Sequence, residues 1–300
     1  MARDNLSHAI NRGSGPTEGQ SVALFPWWSI TKSVLAAAAL RLADQGRFSL
    51  DDSCNRRPYT IRQLLQHTAG LNTYGGEPYR AAVAAGDPVW PVAELLARVN
   101  AERLIFTPGK GWAYSNVGYI FVRQLIEEKA GLEIDEALRM LVFEPMGIQR
   151  TRIAATPDDM SQTFWGNPHG YDPNWVYHGL LIGPPSDAVD FLRRLFSETF
   201  LSEGARSAMK TMHALGGGIA GRPWTRTGYG LGLMMGEMGD AGTAFGHSGV
   251  GHDCVSSLYC FSELPGCPVV AVFGQGTDEG ITEAEAVRLA AGRCGDGGNE

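Results

Sequence analysis

Phe25-Pro-Trp-Trp-Ser-Ile-Thr-Lys-Ser-Val-Leu-Ala-Ala-Ala-Ala-Leu-Arg-Leu-Ala-Asp-Gln-Gly46 is the stretch whose reading decides the fold. Ile30–Gln45 reads as a helix, with the strong helix formers Ala36–Ala39 inside it and Gly46 placed as a C-terminal stop. Ile30, Val34, Leu35, Ala38 and Leu42 recur at helical spacing, and the face between them is also small and apolar. A helix apolar nearly all round belongs in the middle of a protein. Ser29-Ile-Thr-Lys32 opens it. Positions i and i+3 share a helix face, so the Lys32 amine can reach the Ser29 hydroxyl. The helix start supplies partial positive charge and free N–H groups where an oxyanion would develop, which makes Ser29 a candidate activated nucleophile.

Lysine is scarce here. Only Lys32, Lys110, Lys129 and Lys210 stand among the 25 basic residues, against 17 serines. Chance alone would give ~0.2 Ser-x-x-Lys pairs, so the motif is a hypothesis and not proof. Ser207-Ala-Met-Lys210 is a second match, but it lies in a polar segment with no apolar helix after it, and reads as a surface coincidence.

The 300 residues suggest two domains and can bury a sizeable core. Hydrophobic residues at 44% and charged residues at 19% describe a globular chain. The net charge of −7 disfavours nucleic acid and anionic membranes as partners, because both need a basic footprint. The first residues hold no apolar run of signal-peptide length, and no 18-residue apolar stretch occurs. Five cysteines without CxxC spacing fit a reduced, cytoplasmic protein.

Further along, Ser7–Asn11 and Ser21–Leu24 read as short β segments around a turn at residues 12–16. Thr60-Ile-Arg-Gln63 is a capping box opening a helix over Ile61–Thr68. Helical patterns follow at Pro91–Ala101, Ser115–Ala130, Ile134–Phe143 and Pro185–Phe196, with a long loop over Phe164–Pro185. Tyr229–Met235, Ala244–His247, Cys254–Phe261 and Val269–Phe273 read as strands, and Thr282–Arg293 as a last helix. Strands at both chain ends around a helical middle make an α+β fold. The expected units are a discontinuous sheet lobe, 1–50 with 225–300, and a mostly helical lobe, 51–224, with the active site between them.

Two further motifs matter for chemistry. Tyr114-Ser-Asn116 follows Phe106-Thr-Pro-Gly109 and opens an apolar helix, and Gly246-His-Ser-Gly249 lies in a strand. Taken singly, each suits a structural residue. The order Ser-x-x-Lys, Tyr-x-Asn, His-x-Gly resembles the serine β-lactamase and penicillin-binding-protein superfamily. The branch it is most like holds class C β-lactamases, D-Ala-D-Ala carboxypeptidases, D-amino-acid amidases and family VIII esterases. Family-like stretches also occur at Leu42–Asp52, Ile61–Leu71, Phe106–Gly109, Phe143–Gly147 and Tyr229–Gly232, so the resemblance covers roughly Phe25 to Gln275.

That resemblance implies a β-lactamase/transpeptidase-like fold, an antiparallel sheet flanked by helices. It implies Ser29 as nucleophile, forming an acyl-enzyme, with Lys32 beside it and Tyr114 as general base. The Lys32 cation would favour the Tyr114 phenolate, and which of the two is the base stays open. Asn116 would bind the substrate's acyl-side amide and touch Lys32. His247, where lysine is commoner, would meet a substrate carboxylate or Tyr114, and Gly249 lies beside it in the binding strand. Neutral imidazole anchors an anion less well than lysine, which points towards an esterase, amidase or D-peptidase. The oxyanion hole would be the backbone N–H groups of Ser29 and Val250.

The expected function is hydrolysis of a small-molecule ester, amide or β-lactam, with no cofactor and no metal and with a homo-oligomer left open. The alternative is a non-hydrolytic penicillin-binding or sensor-type module that is acylated without turnover. His252, Asp253 and Cys254 with Cys260 and Cys267 show no zinc-site spacing. His67 reads as a structural residue at a helix end, and Trp165 and Trp175 sit in the loop expected to cover the site.

Overall fold

The computed structural model describes residues 6–13, 15–19 and 21–292. Helix α1 (Thr31–Asp44) runs through the interior as its composition requires, and Val34 to Leu40 are wholly buried. A single tight helical turn over Trp28–Ile30 precedes it and carries Ser29. Gly46 follows in the left-handed conformation. Around α1 stand α2 (Ile61–Leu65), α3 (Tyr79–Ala85), α4 (Val92–Arg98), α5 (Asn116–Ala130) and α6 (Ile134–Leu138). The α6 segment runs on as a wider turn through Phe143, and α5 packs on both α1 and α2. The capping box at Thr60 and Gln63 forms in both directions. α2 is nevertheless shorter than expected, and His67 past its end takes a left-handed φ of 62°.

Short α7 (Pro157–Ser161) is followed by α8 (Pro185–Leu195), α9 (Glu203–Lys210) and α10 (Glu279–Ala290). The last helix starts three residues earlier than the sequence suggested, capped by Asp278, and Arg293 lies outside the described residues.

The strands are β1 (Leu6–Asn11), β2 (Phe25–Pro26), β3 (Arg152–Ile153), β4 (Leu181–Gly183) and β5 (His213–Gly216), then β6 (Trp224–Tyr229) and β7 (Met234–Met238). β8 (Thr243–Gly251), β9 (Cys254–Phe261) and β10 (Val269–Gln275) complete them. Seven form one antiparallel sheet in the order β1-β10-β9-β8-β7-β6-β5, so the two chain ends share it. α10 packs on β9 and β10, and α8 packs on β1 and β10. β9 is accordingly buried along its whole length. The sheet also takes β5 from the span expected to be helical.

One expected strand is wrong. Tyr229 ends β6 and Met234 begins β7, with residues 230–233 turning between them. Gly232 makes that turn at φ 73°, and a Cβ there would come within 2.5 Å of the Ala36 Cβ on α1. An apolar run hid the turn because its side chains pack on the central helix and do not face solvent. The Ser21–Leu24 strand is likewise replaced by β2, which starts at the next residue, Phe25.

A small second sheet, β2-β4-β3, ties the chain just before Ser29 to the far side of the long loop. Trp27 N–H donates to the Leu181 carbonyl at 2.8 Å, and the Trp27 indole donates to the Gly183 carbonyl at 3.2 Å. The Leu181 N–H donates to the Thr31 hydroxyl at 3.2 Å. These bonds bracket Ser29 on both sides, fixing the turn without engaging the serine itself.

Candidate active site

Ser29 lies at the end of α1, half-buried, after Trp28 in a left-handed conformation of φ 46°. A bulky residue adopts that conformation only when its surroundings impose it. The surroundings are β8. β7 pairs with β8 only as far as Gly246, so His247 to Gly251 present a free edge to the serine turn. A Cβ at Gly249 would stand 2.8 Å from both the Trp27 carbonyl oxygen and the Trp28 Cβ. Close approach, and not a tight turn, therefore requires glycine there.

β8 and β9 are joined by a two-residue turn at His252 and Asp253, closed by the Gly251–Cys254 pair. The alternation of an antiparallel ladder then aims the Val250 N–H away from β9, towards the serine side. Ser29 and Val250 line the same two cavities.

Lys32 is wholly buried one helical turn on, with its Nζ 3.0 Å from Ser29 Oγ. Its other polar partner is His178 Nε2 at 3.2 Å, and His178 Nδ1 lies 3.2 Å from the Tyr74 hydroxyl. Asn116 does not fill that place. Its amide donates to the Tyr74 carbonyl at 3.3 Å, while its side chain lines the same cavity as Ser29. His178 escaped the sequence reading because it comes from a loop 146 residues away. Its only local signal is a lone imidazole in the apolar run Trp175–Leu181.

Burial holds the Lys32 pKa well below the ordinary lysine value, so the neutral amine is favoured. Tyr114 faces Lys32, with the amine 5.0 Å from its ring centroid. The cation was expected to stabilise a phenolate. Instead burial pushes the Tyr114 phenol above its usual range, and a hydrogen bond with Ser29 offsets only part of that rise. One edge of the ring still faces the cavity, but His67, Trp112 and Tyr229 pack around it. Burial thus acts on both groups that flank the serine, favouring the uncharged form of the amine and of the phenol alike.

Tyr114 is held by His67. The Ser115 N–H donates to His67 Nδ1 at 3.1 Å, Ser115 caps α5 through Gly118, and the His67 and Tyr114 rings pack at a 40° tilt with centroids 4.4 Å apart. His67 is structural, as expected, but the structure it supports is the site. His247 is buried and bonded, Nε2 lying 2.9 Å from the Tyr229 hydroxyl and Nδ1 donating to the Ser248 carbonyl. Burial lowers its pKa to about 3, so it offers no cation to a substrate.

Ser29 stands between the two cavities. One, about 460 Å³, is bounded by β6–β8 and includes Trp112, Tyr114, Tyr229 and His247. The other, about 580 Å³, lies under the long loop and includes Tyr74, Asn116, Tyr171 and His178. The loop covers the site through Tyr171, Val176 and His178. Trp175 faces inward on Tyr79 and Trp90, and Trp165 packs on Phe25.

At the lip, exposed His169, His252 and Asp253 bring one ligand atom each within 4.8 Å of the others, a different set from the cysteine-containing one considered above. Cys54, Cys254, Cys260 and Cys267 are free thiols. Among the described residues no helix is long and apolar enough to cross a membrane.

An antiparallel sheet with helices on both faces, a buried helix headed by Ser-x-x-Lys and a cleft where the two meet define the β-lactamase/transpeptidase fold. The chain matches the Beta-lactamase family over residues 16–286 and belongs to it. It is 24% identical over 264 residues to a penicillin-binding protein of Bacillus subtilis strain 168, covering 76% of this chain and 55% of that one. It is 31% identical over 147 residues to esterase EstB of Burkholderia gladioli, covering 42% and 37%. It thus spans about half or less of the length of these two relatives. The D-amino acid amidase of Ochrobactrum anthropi SV3, solved with D-phenylalanine, superposes with a TM-score of 0.79 at 19% identity, covering 97% of this chain and 94% of the amidase.

Proposed function

We propose that the protein is a serine hydrolase that cleaves ester or amide bonds of small substrates through an acyl-enzyme at Ser29. The observation that carries this reading is the fully buried Lys32 amine 3.0 Å from Ser29 Oγ, at the junction of two cavities. A neutral amine can accept the hydroxyl proton as Oγ attacks the carbonyl carbon. The carbonyl oxygen becomes an oxyanion that the N–H groups of Ser29 and Val250 stabilise. On collapse the bond to the leaving oxygen or nitrogen breaks, and that atom takes a proton from the Tyr114 phenol, which the Lys32 ammonium replenishes. Water then attacks the acyl carbon, its proton passes to the same pair, and Ser29 regains its hydrogen as the acid departs.

His178 holds the amine in place and Asn116 faces the acyl portion. The family match and the named esterase and amidase relatives support this chemistry.

Intact-mass analysis after a fluorophosphonate probe tests the reading. One adduct is expected, lost in Ser29→Ala and kept in Ser207→Ala. Labelling that persists in Ser29→Ala would overturn the assignment. A β-lactam adduct stable for hours, with no ester or amide turned over, would point to a module that is acylated and not released.

A further inference from the structure

The charge that lines the β6–β8 cavity beside Ser29 selects a class of leaving group. The β6–β8 cavity has apolar and aromatic walls that include Trp112, Trp224, Tyr229 and Met235. Among the described residues Arg222 is the one arginine or lysine that lines it, and that guanidinium is already engaged. Arg222 Nε lies 2.7 Å from Glu283 and Nη1 lies 2.8 Å from Glu279, and Nη2 also meets Glu283. Glu283 is wholly buried, and it further accepts from the Trp224 indole at 3.1 Å and the Tyr259 hydroxyl at 3.2 Å.

One guanidinium against two carboxylates leaves one formal negative charge. Of the two carboxylates only Glu279, paired with Arg222 and with 23% of its side chain exposed, lines the cavity, so the excess negative charge faces it there. His247, the remaining ring that could have carried positive charge, is spent on Tyr229 and Ser248. A carboxylate entering here would find the Arg222 guanidinium already shared by two carboxylates, and would face Glu279 in surroundings that strengthen the repulsion. The field of Glu279 also reaches the Tyr114 phenol, so the charge and the chemistry share one space.

We infer that this cavity takes leaving groups ending in a hydrophobic cation, a quaternary or tertiary ammonium, with Glu279 as counter-charge and Trp112, Trp224 and Tyr229 as an aromatic wall. The inference rests on the reading of Ser29 as nucleophile, since it is that reaction which gives the cavity a leaving group. A quaternary ammonium suits such a wall because it sheds its hydration cheaply and is attracted by aromatic faces.

The test is a ladder of acetate esters matched in size, those of choline, 3,3-dimethylbutanol and 4-hydroxybutanoate. For the wild-type protein kcat/KM should be about 10-fold higher for the choline ester than for its neutral isostere, the gain typical of a desolvated cation on aromatic rings. The carboxylate ester should be slowest. The preference should shrink at about 1 M salt, where the screening length falls to roughly 3 Å, and in Glu279→Gln. Equal rates for cation and isostere, or preference for the carboxylate, would overturn the inference. Should the variant not fold, the wild-type ladder and its salt dependence still decide. If no ester is turned over, the Ser29 reading fails separately. Calorimetric binding of butyltrimethylammonium against 3,3-dimethylbutanol then judges the cavity alone, and equal affinity rejects it.

Discussion

Two segments of this chain carry the same four-residue pattern and do opposite things with it. At Ser29-Ile-Thr-Lys32 the amine is wholly buried, 3.0 Å from the serine, and burial lowers its pKa far from the lysine norm. At Ser207-Ala-Met-Lys210 the serine is exposed on α9, and the amine lies over the Phe196 and Phe245 rings at 4.1 Å and 4.5 Å. Burial also lowers the pKa of Lys210, but less. Spacing alone, then, places a hydroxyl and an amine on one helix face; whether they meet, and in what protonation state, depends on what encloses them. Around Lys32 the enclosure comes from α5, β8 and the long loop. Beside Lys210 two rings and open water suffice.

Exchange of each lysine for methionine is the strongest way to break the contrast. Lys32→Met should cost about 10²–10⁴-fold in kcat/KM, the range for losing a positioned proton acceptor, while its melting temperature holds or rises. Lys210→Met should leave turnover where it was; a comparable loss in both variants would erase the distinction.

A second route acts through the strand and leaves both lysines alone. Gly249→Ala drives a methyl against the Trp27 carbonyl and should shift the serine turn by several tenths of an ångström. About 10–100-fold in kcat is at stake, since catalysis falls steeply with misplacement of the nucleophile. Labelling of Ser29 by a fluorophosphonate should slow in parallel. An unchanged labelling rate would show that β8 does not position it.

Titration sharpens the comparison further. The neutral Lys32 amine is the active form, so kcat/KM should rise with pH through its folded-state pKa and level off above it. Because burial lowers that pKa, the acid limb should fall well below 10.5, the value of a free lysine. A limb at the free-lysine value would mean the amine is solvated. The smallest effect belongs to Lys210→Met on stability, about 1 kcal/mol from the lost contacts with two rings, read by chemical denaturation.

Legibility followed the range of the interaction. The capping box at Thr60 and Gln63 closes within four residues, and its sequence pattern sufficed. The buried character of α1 was also plain, because an alanine-rich helix with no polar face has no other place to go. The β6–β7 turn was missed, since Leu231 and Leu233 are buried and so look like strand residues. His178 was missed for a related reason: nothing within several residues of it mentions Lys32. The Tyr114 expectation weighed a nearby cation and left out burial, which raises the phenol's pKa and lowers the lysine's.

The amino-acid sequence determined by itself that Ser29 and Lys32 share the head of a buried helix and that both chain ends supply strands. These are consequences of helical periodicity, capping and alternation, which act over a few residues. The tertiary structure alone decided that Lys32 pairs with His178, that burial raises the Tyr114 pKa, and that Arg222 is shared by Glu279 and Glu283. Those outcomes depend on which distant groups exclude water from one another, and dielectric surroundings exist only once the chain has closed on itself.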